Sequence, residues 1–228
     1  KGRILRMKAS DKAKYLIKKY SHAWVLLYVF IYMPWFIYLE KHVTDHYYVI
    51  HSRLDDYIPF VEYFIVPYLL WFFFMAIVIA YFFFTDKKGF YKLTAFLFTG
   101  MTLFLIICSV FPNGLNLRPE TFARDNVFVD LVKHLYRTDT PTNVLPSIHV
   151  FNSLGAMIAI GRSKKLAKYR GIQIGVYTFA LLIIMSTVFL KQHSIIDVIA
   201  AFAMACVIYP LVYGIATKKV TKVAHQPI

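Results

Sequence analysis

Two histidines and one aspartate stand where this chain turns from polar to apolar. His149 lies in Leu145-Pro146-Ser147-Ile148-His149, and His193 with Asp197 in Lys191-Gln192-His193-Ser194-Ile195-Ile196-Asp197. Each histidine opens an apolar run of nearly membrane-spanning length, where an ionisable side chain is costly and marks a working site. His193 and Asp197 are four residues apart, so on a helix they share a face and the carboxylate can accept from one imidazole nitrogen. That bond fixes the tautomer and leaves the other nitrogen's lone pair free, which makes His193 the better nucleophile. His149 has no acid in the adjacent turn and suits proton donation.

Cations and helix ends complete the chemistry. Pro146 and Ser147 fall in the first turn of a helix, whose free N–H groups and positive dipole end form a seat for a phosphate. Arg118 adds a planar, permanently charged fork, and Lys191 a point charge beside His193. Nucleophile, acid and donors together are what phosphoryl transfer requires. The chain has no Gly-rich phosphate loop and no carboxylate cluster suited to Mg²⁺, so the expected route uses neither metal nor cofactor. Each residue also has a plainer reading. Arg118 can pair with Glu120 or lipid phosphate, Lys191 can snorkel, and His193 with Asp197 can be a structural ion pair.

The elements that must position these groups are membrane helices. A composition 59% hydrophobic and 18% aromatic, with a mean hydropathy of +0.55, is too apolar for an ordinary soluble domain. The net charge of +14 does not argue for nucleic acid, because of where it lies. Lys and Arg cluster at 1–19, at Lys87, Lys88 and Lys92, from Arg162 to Arg170, and at Lys218, Lys219 and Lys222, on alternate sides of successive apolar segments. This is the positive-inside pattern. It predicts an all-α integral protein of the cell membrane, one domain over 1–228, with both termini cytoplasmic. Six spans are expected, at about 22–38, 57–84, 91–111, 145–161, 171–190 and 193–216. An amphipathic helix over 1–21 is expected to lie on the cytoplasmic surface, and an interfacial helix over 122–137 to lie outside, between the third and fourth spans. Pro67 is expected to kink the second span, and Pro112-Asn113-Gly114 to form a turn.

Other titratable residues carry less. His42 and His46 have helical metal-ligand spacing, but with His51 they read as solvated or interfacial side chains. Cys108 and Cys206 lie inside apolar segments and read as buried hydrophobes, with no disulfide framework. The first apolar run is of full spanning length, which argues against a cleavable leader. Under the charge-derived topology Arg118, His149, His193 and Asp197 share the extracytoplasmic side although they come from three parts of the chain, which makes them one candidate site.

The residues resemble a family. Pro146-Ser147-Ile148-His149 resembles the Pro-Ser-Gly-His motif of the type 2 phosphatidic acid phosphatase superfamily. His193 with Asp197 resembles the end of its third motif, and Arg118-Pro119 the close of its first. The resemblance implies a phosphohistidine at His193, support from Asp197, and protonation of the leaving group by His149. Three positions depart from the pattern. Phe111 stands for the usual Lys, Thr187 for the usual Arg, and Ile148 for Gly. In this thinning, and in the run His193 to Val198, the chain is similar to the sphingomyelin synthase and inositol phosphorylceramide synthase branch, which moves a phosphoryl head group to a lipid alcohol. The leading expectation is therefore a lipid phosphatase or phosphotransferase acting on a lipid phosphate or phospholipid. Two readings of other classes stand beside it: a redox bundle with a haem between His149 and His193, and a non-catalytic lipid-binding module.

Overall fold

Ser52, Asp86, Asn126, Ser147 and Ser194 each cap a helix by accepting from N–H groups of its first turn. The computed structural model describes residues 9–214. Helix α1 (Ala9–Lys19) covers the later part of the expected amphipathic segment; residues 1–8 of that segment, and the end of the last expected span with its basic cluster, lie outside the described residues. A 3₁₀ turn (Ser21–Tyr28) runs into α2 (Val29–His42), together forming the first apolar crossing. The short α3 (Arg53–Tyr57), capped by Ser52, precedes the second, which runs from Glu62 through α4 (Ile65–Thr85). Pro67 is the third residue of α4, and a 3₁₀ turn (Glu62–Phe64) runs directly into that helix.

Asp86 caps α5 (Lys87–Val110) by accepting from the Gly89 N–H at 3.1 Å, so α4 and α5 meet at a one-residue corner. Asn126 likewise caps α6 (Val127–Thr138), the expected interfacial helix. Then come α7 (Ile148–Arg162), α8 (Arg170–Phe189) and α9 (Ile195–Tyr213). Among the described residues five helical stretches are long and apolar enough to cross a membrane. The fourth expected span, α7, is 15 residues, about 22 Å against a hydrocarbon core of about 30 Å. It is enclosed by its neighbours rather than exposed along its length: nine of its residues are buried, from Ile148 to Ile160.

Small residues permit that enclosure. Phe151 of α7 stacks on Phe96 of α5 at 4.7 Å, and its ring occupies the space a Cβ on Gly100 would need. Gly155 likewise faces Leu97 and Phe96. Gly100→Ala is therefore expected to lower stability by about 1–3 kcal/mol through overpacking, read as a drop in thermal midpoint of the detergent-purified protein. A midpoint equal to wild type would mean that the α5–α7 contact yields freely.

At one end of the bundle the loops are tied together. Strand β1 (Tyr48–Val49) pairs in parallel with β2 (Asn113–Gly114), and Gly114 bridges to Thr142. The expected Pro112-Asn113-Gly114 turn is thus a strand, because residues 48–49 supply its partner. Asn113 is fully buried, and its Oδ1 accepts from the N–H groups of Val144 and Leu145 at 2.9 Å each, fixing the entry to α7.

Candidate active site

The N-terminus of α9 builds the first half of the site. Ser194 is its cap: Ser194 Oγ accepts from the Ile196 N–H at 3.1 Å, and the Ser194 N–H donates to Asp197 Oδ2 at 2.9 Å. The same Oδ2 accepts from His193 Nδ1 at 3.2 Å, so the imidazole's tautomer is held and Nε2 keeps its lone pair. Asp197 is fully buried, and its carbonyl accepts from the Ser147 N–H at 3.2 Å, which joins the two stretches that carry the histidines. The N–H groups of Gln192 and His193 both donate to the Thr187 carbonyl, fixing the turn between α8 and α9.

The second half comes from α7. His149 in its first turn is held between Tyr68, stacked at 4.6 Å, and Trp71 at 4.3 Å, and its buried Nε2 has no protein partner. The His149 and His193 ring centroids are 6.0 Å apart, so one phosphoester can touch both. Both rings line a cavity of about 580 Å³. Its wall grades in polarity along α2, where Tyr32, Phe36 and Glu40 follow at four-residue intervals. Met33 of α2 and Leu69 and Phe72 of α4 also line it and are exposed on the bundle's outer face, so the cavity opens sideways between these helices.

The expected phosphate ligands sit elsewhere. Ser147 is buried and caps α7, its Oγ accepting from the Val150 N–H at 3.4 Å. Lys191 Nζ donates to the Asp55 carbonyl at 2.7 Å and to the Ile58 carbonyl, at the C-terminal end of α3. Arg118 donates through both terminal nitrogens, to the carbonyls of Tyr136, Asp139 and Thr140 and to Gln192 Oε1 at 2.7 Å. None of the three lines the cavity. Gln192 does, and its buried Nε2 has no protein partner. Phe111 stacks on Tyr48, and Thr187 is buried with its hydroxyl donating to the Ile184 carbonyl.

Burial and neighbouring charge tune the loop groups. Burial, then Glu40, pushes the Asp139 carboxyl up, while Arg118 and His193 pull it back. Burial lowers Arg118, opposed first by Asp139. Burial also lowers Lys191, opposed by Asp55 and Asp56.

Sequence reading missed Asp55. Its buried carboxylate accepts from the Ser194 hydroxyl at 2.6 Å, the Ile195 N–H at 2.8 Å and the Ser52 N–H at 2.8 Å. Ser52 with Asp55 has the spacing of a capping box, which was the available signal, although nothing local named α9 as a second client. Asp55→Asn is expected to lower kcat about 10- to 100-fold with KM nearly unchanged, by loosening the helix end that carries His193. Steady-state kinetics check this, and a KM change alone would contradict it.

A family comparison bears on this geometry. The PAP2 superfamily model matches residues 93–221, more than half of the chain, including Arg118, His149, His193 and Asp197. The chain belongs to the PAP2 superfamily. PAP2 members are phosphatases and phosphotransferases, so the protein falls in the class of phosphoric-ester enzymes and is an integral membrane protein. Glu40 and Asp55 precede the PAP2 match, and α2 and α3 contribute them to the site from outside it. No curated protein and no solved structure matched the chain.

Proposed function

We propose that this PAP2 protein cleaves a phosphoester of a membrane lipid at the extracytoplasmic face, through a phosphohistidine at His193. The observation that carries this is the pairing of the His193–Asp197 bond with His149 at the polar end of a cavity that opens toward the lipid-facing surface. His193 Nε2 attacks phosphorus, the bond to the leaving oxygen breaks, and protonated His149 gives that oxygen its proton. In the second half, water or a lipid hydroxyl gives a proton to His149 and attacks the phosphohistidine, whose P–N bond breaks to restore His193. Asp197 stabilises the charge on His193 throughout. Gln192 Nε2, with its amide held by Arg118, donates to a phosphoryl oxygen, which makes Arg118 a positioning residue. The basic clusters at 1–19, 87–92, 162–170 and 218–222 support the assignment of sides.

Hydrolysis and transfer share the first half-reaction, and the acceptor separates them. The test is purified protein with a phospholipid panel, with and without diacylglycerol or ceramide, read by mass spectrometry. Hydrolysis products alone identify a phosphatase, and a new phospholipid identifies a transferase. Bound lipid phosphate without turnover by the intact triad would instead support the binding-module reading.

A further inference from the structure

The cavity's charge is opposite to what a lipid phosphomonoester needs. Its charged lining among the described residues is Glu40 and Asp139, besides His134, His149 and His193, with neither Lys nor Arg. The cation behind the wall, Arg118, is bonded to three carbonyls and Gln192. A phosphomonoester brings about two negative charges at neutral pH, and a desolvated site magnifies their repulsion by two carboxylates. A second observation concerns acceptors. Asn143 is 5% exposed and lines the cavity; its Nδ2 donates to Glu40 Oε1 at 2.9 Å, and its buried Oδ1 has no partner. Asn152, also 5% exposed and on the wall, has a buried Oδ1 in the same state. Carboxylates and unpaired acceptors together ask for a donor that carries positive charge.

Resting on the phosphohistidine reading, we propose that the cavity selects phospholipids whose head group carries an ammonium or quaternary ammonium, seated by Glu40, Asp139 and Asn143 against Phe36 and Tyr68. Glu40 stands at the end of α2, with Phe36 and Tyr32 one and two turns further along, so the wall passes from acid to aromatic to apolar. That order matches a lipid with its charged head at the loops and its chains toward the sideways opening. An ammonium N–H donates to Asn143 Oδ1 and the carboxylates, and a quaternary head uses the ring faces and the same charge. Burial and then the Glu40 charge raise the Asp139 carboxyl, and a cation between the two carboxyls relieves the second of these.

The test uses the full chain in detergent micelles with phosphatidylcholine, phosphatidylethanolamine, phosphatidylglycerol and phosphatidic acid of identical chains. Head-group or phosphate release is expected to be at least about tenfold faster for the first two. Glu40→Gln is expected to bring the four rates together at unchanged thermal midpoint. Tetramethylammonium chloride should inhibit the wild type on phosphatidylcholine more than sodium chloride of equal ionic strength, a readout that needs no variant. Phosphatidic acid or phosphatidylglycerol consumed as fast as the zwitterionic lipids, with a phosphorylated His193 still trapped, overturns the cation site and leaves the mechanism. No release and no trapped adduct with any of the four overturns the mechanism, and the cation site with it.

Discussion

Replacing His193 with alanine removes release of phosphate or head group from lipid substrates, by at least about a thousandfold, while the protein keeps its thermal midpoint. The size follows from the role: without the Nε2 lone pair no P–N bond forms, and binding and donors alone leave only a small residual rate. The Ser194 N–H to Asp197 bond and the Asp55 contacts hold the end of α9 without the imidazole, so the fold survives. Phosphorus release from labelled lipid and intact-protein mass after rapid quench provide the readouts. Wild-type turnover in purified His193→Ala would eliminate the phosphohistidine mechanism.

His149→Gln separates the two chemical roles. With a natural lipid, whose leaving oxygen must be protonated, the rate is expected to fall about 10²- to 10⁴-fold. With a 4-nitrophenyl ester of the same phosphoryl group the leaving group needs no acid, so the first half-reaction stays fast. The second half still lacks its base, and the phosphorylated enzyme accumulates. A burst of nitrophenolate followed by a slow steady state is the signature. Equal loss with both substrates would place His149 outside proton transfer, as a packing residue between Tyr68 and Trp71.

How far these roles were legible depended on how local each signal was. His193 and Asp197 were readable as a pair because an i, i+4 spacing on one helix is a local fact, and the structure has them bonded at 3.2 Å. Helix α6 was readable for the same reason, from apolar residues at helical spacing over 122–137, although Asn126 starts it only at Val127. The phosphate ligands were less legible. Arg118 and Lys191 are cations near the site in the chain, but their partners are backbone carbonyls of residues 136–140 and 55–58 and, for Arg118, Gln192 Oε1, which no spacing reveals. The α7 helix was read as a span from its apolarity, but that its 15 residues are largely enclosed by neighbouring helices is a tertiary fact that hydropathy does not carry.

From the sequence by itself came the membrane class, the order of the apolar helices and the His, His, Asp set, because hydropathy, charge asymmetry and helical periodicity act over one or a few turns. Only the tertiary structure decided that Asp55 holds the helix end of the nucleophile, that Gln192 stands between Arg118 and the cavity, and that Glu40 and Asp139 face the same space. Those contacts join residues from 74 to 140 positions apart, as in Gln192 to Arg118 and Ile195 to Asp55. They are made by polar side chains of loops and helix ends, where one carboxylate or amide can serve any N–H that folding brings within 3 Å.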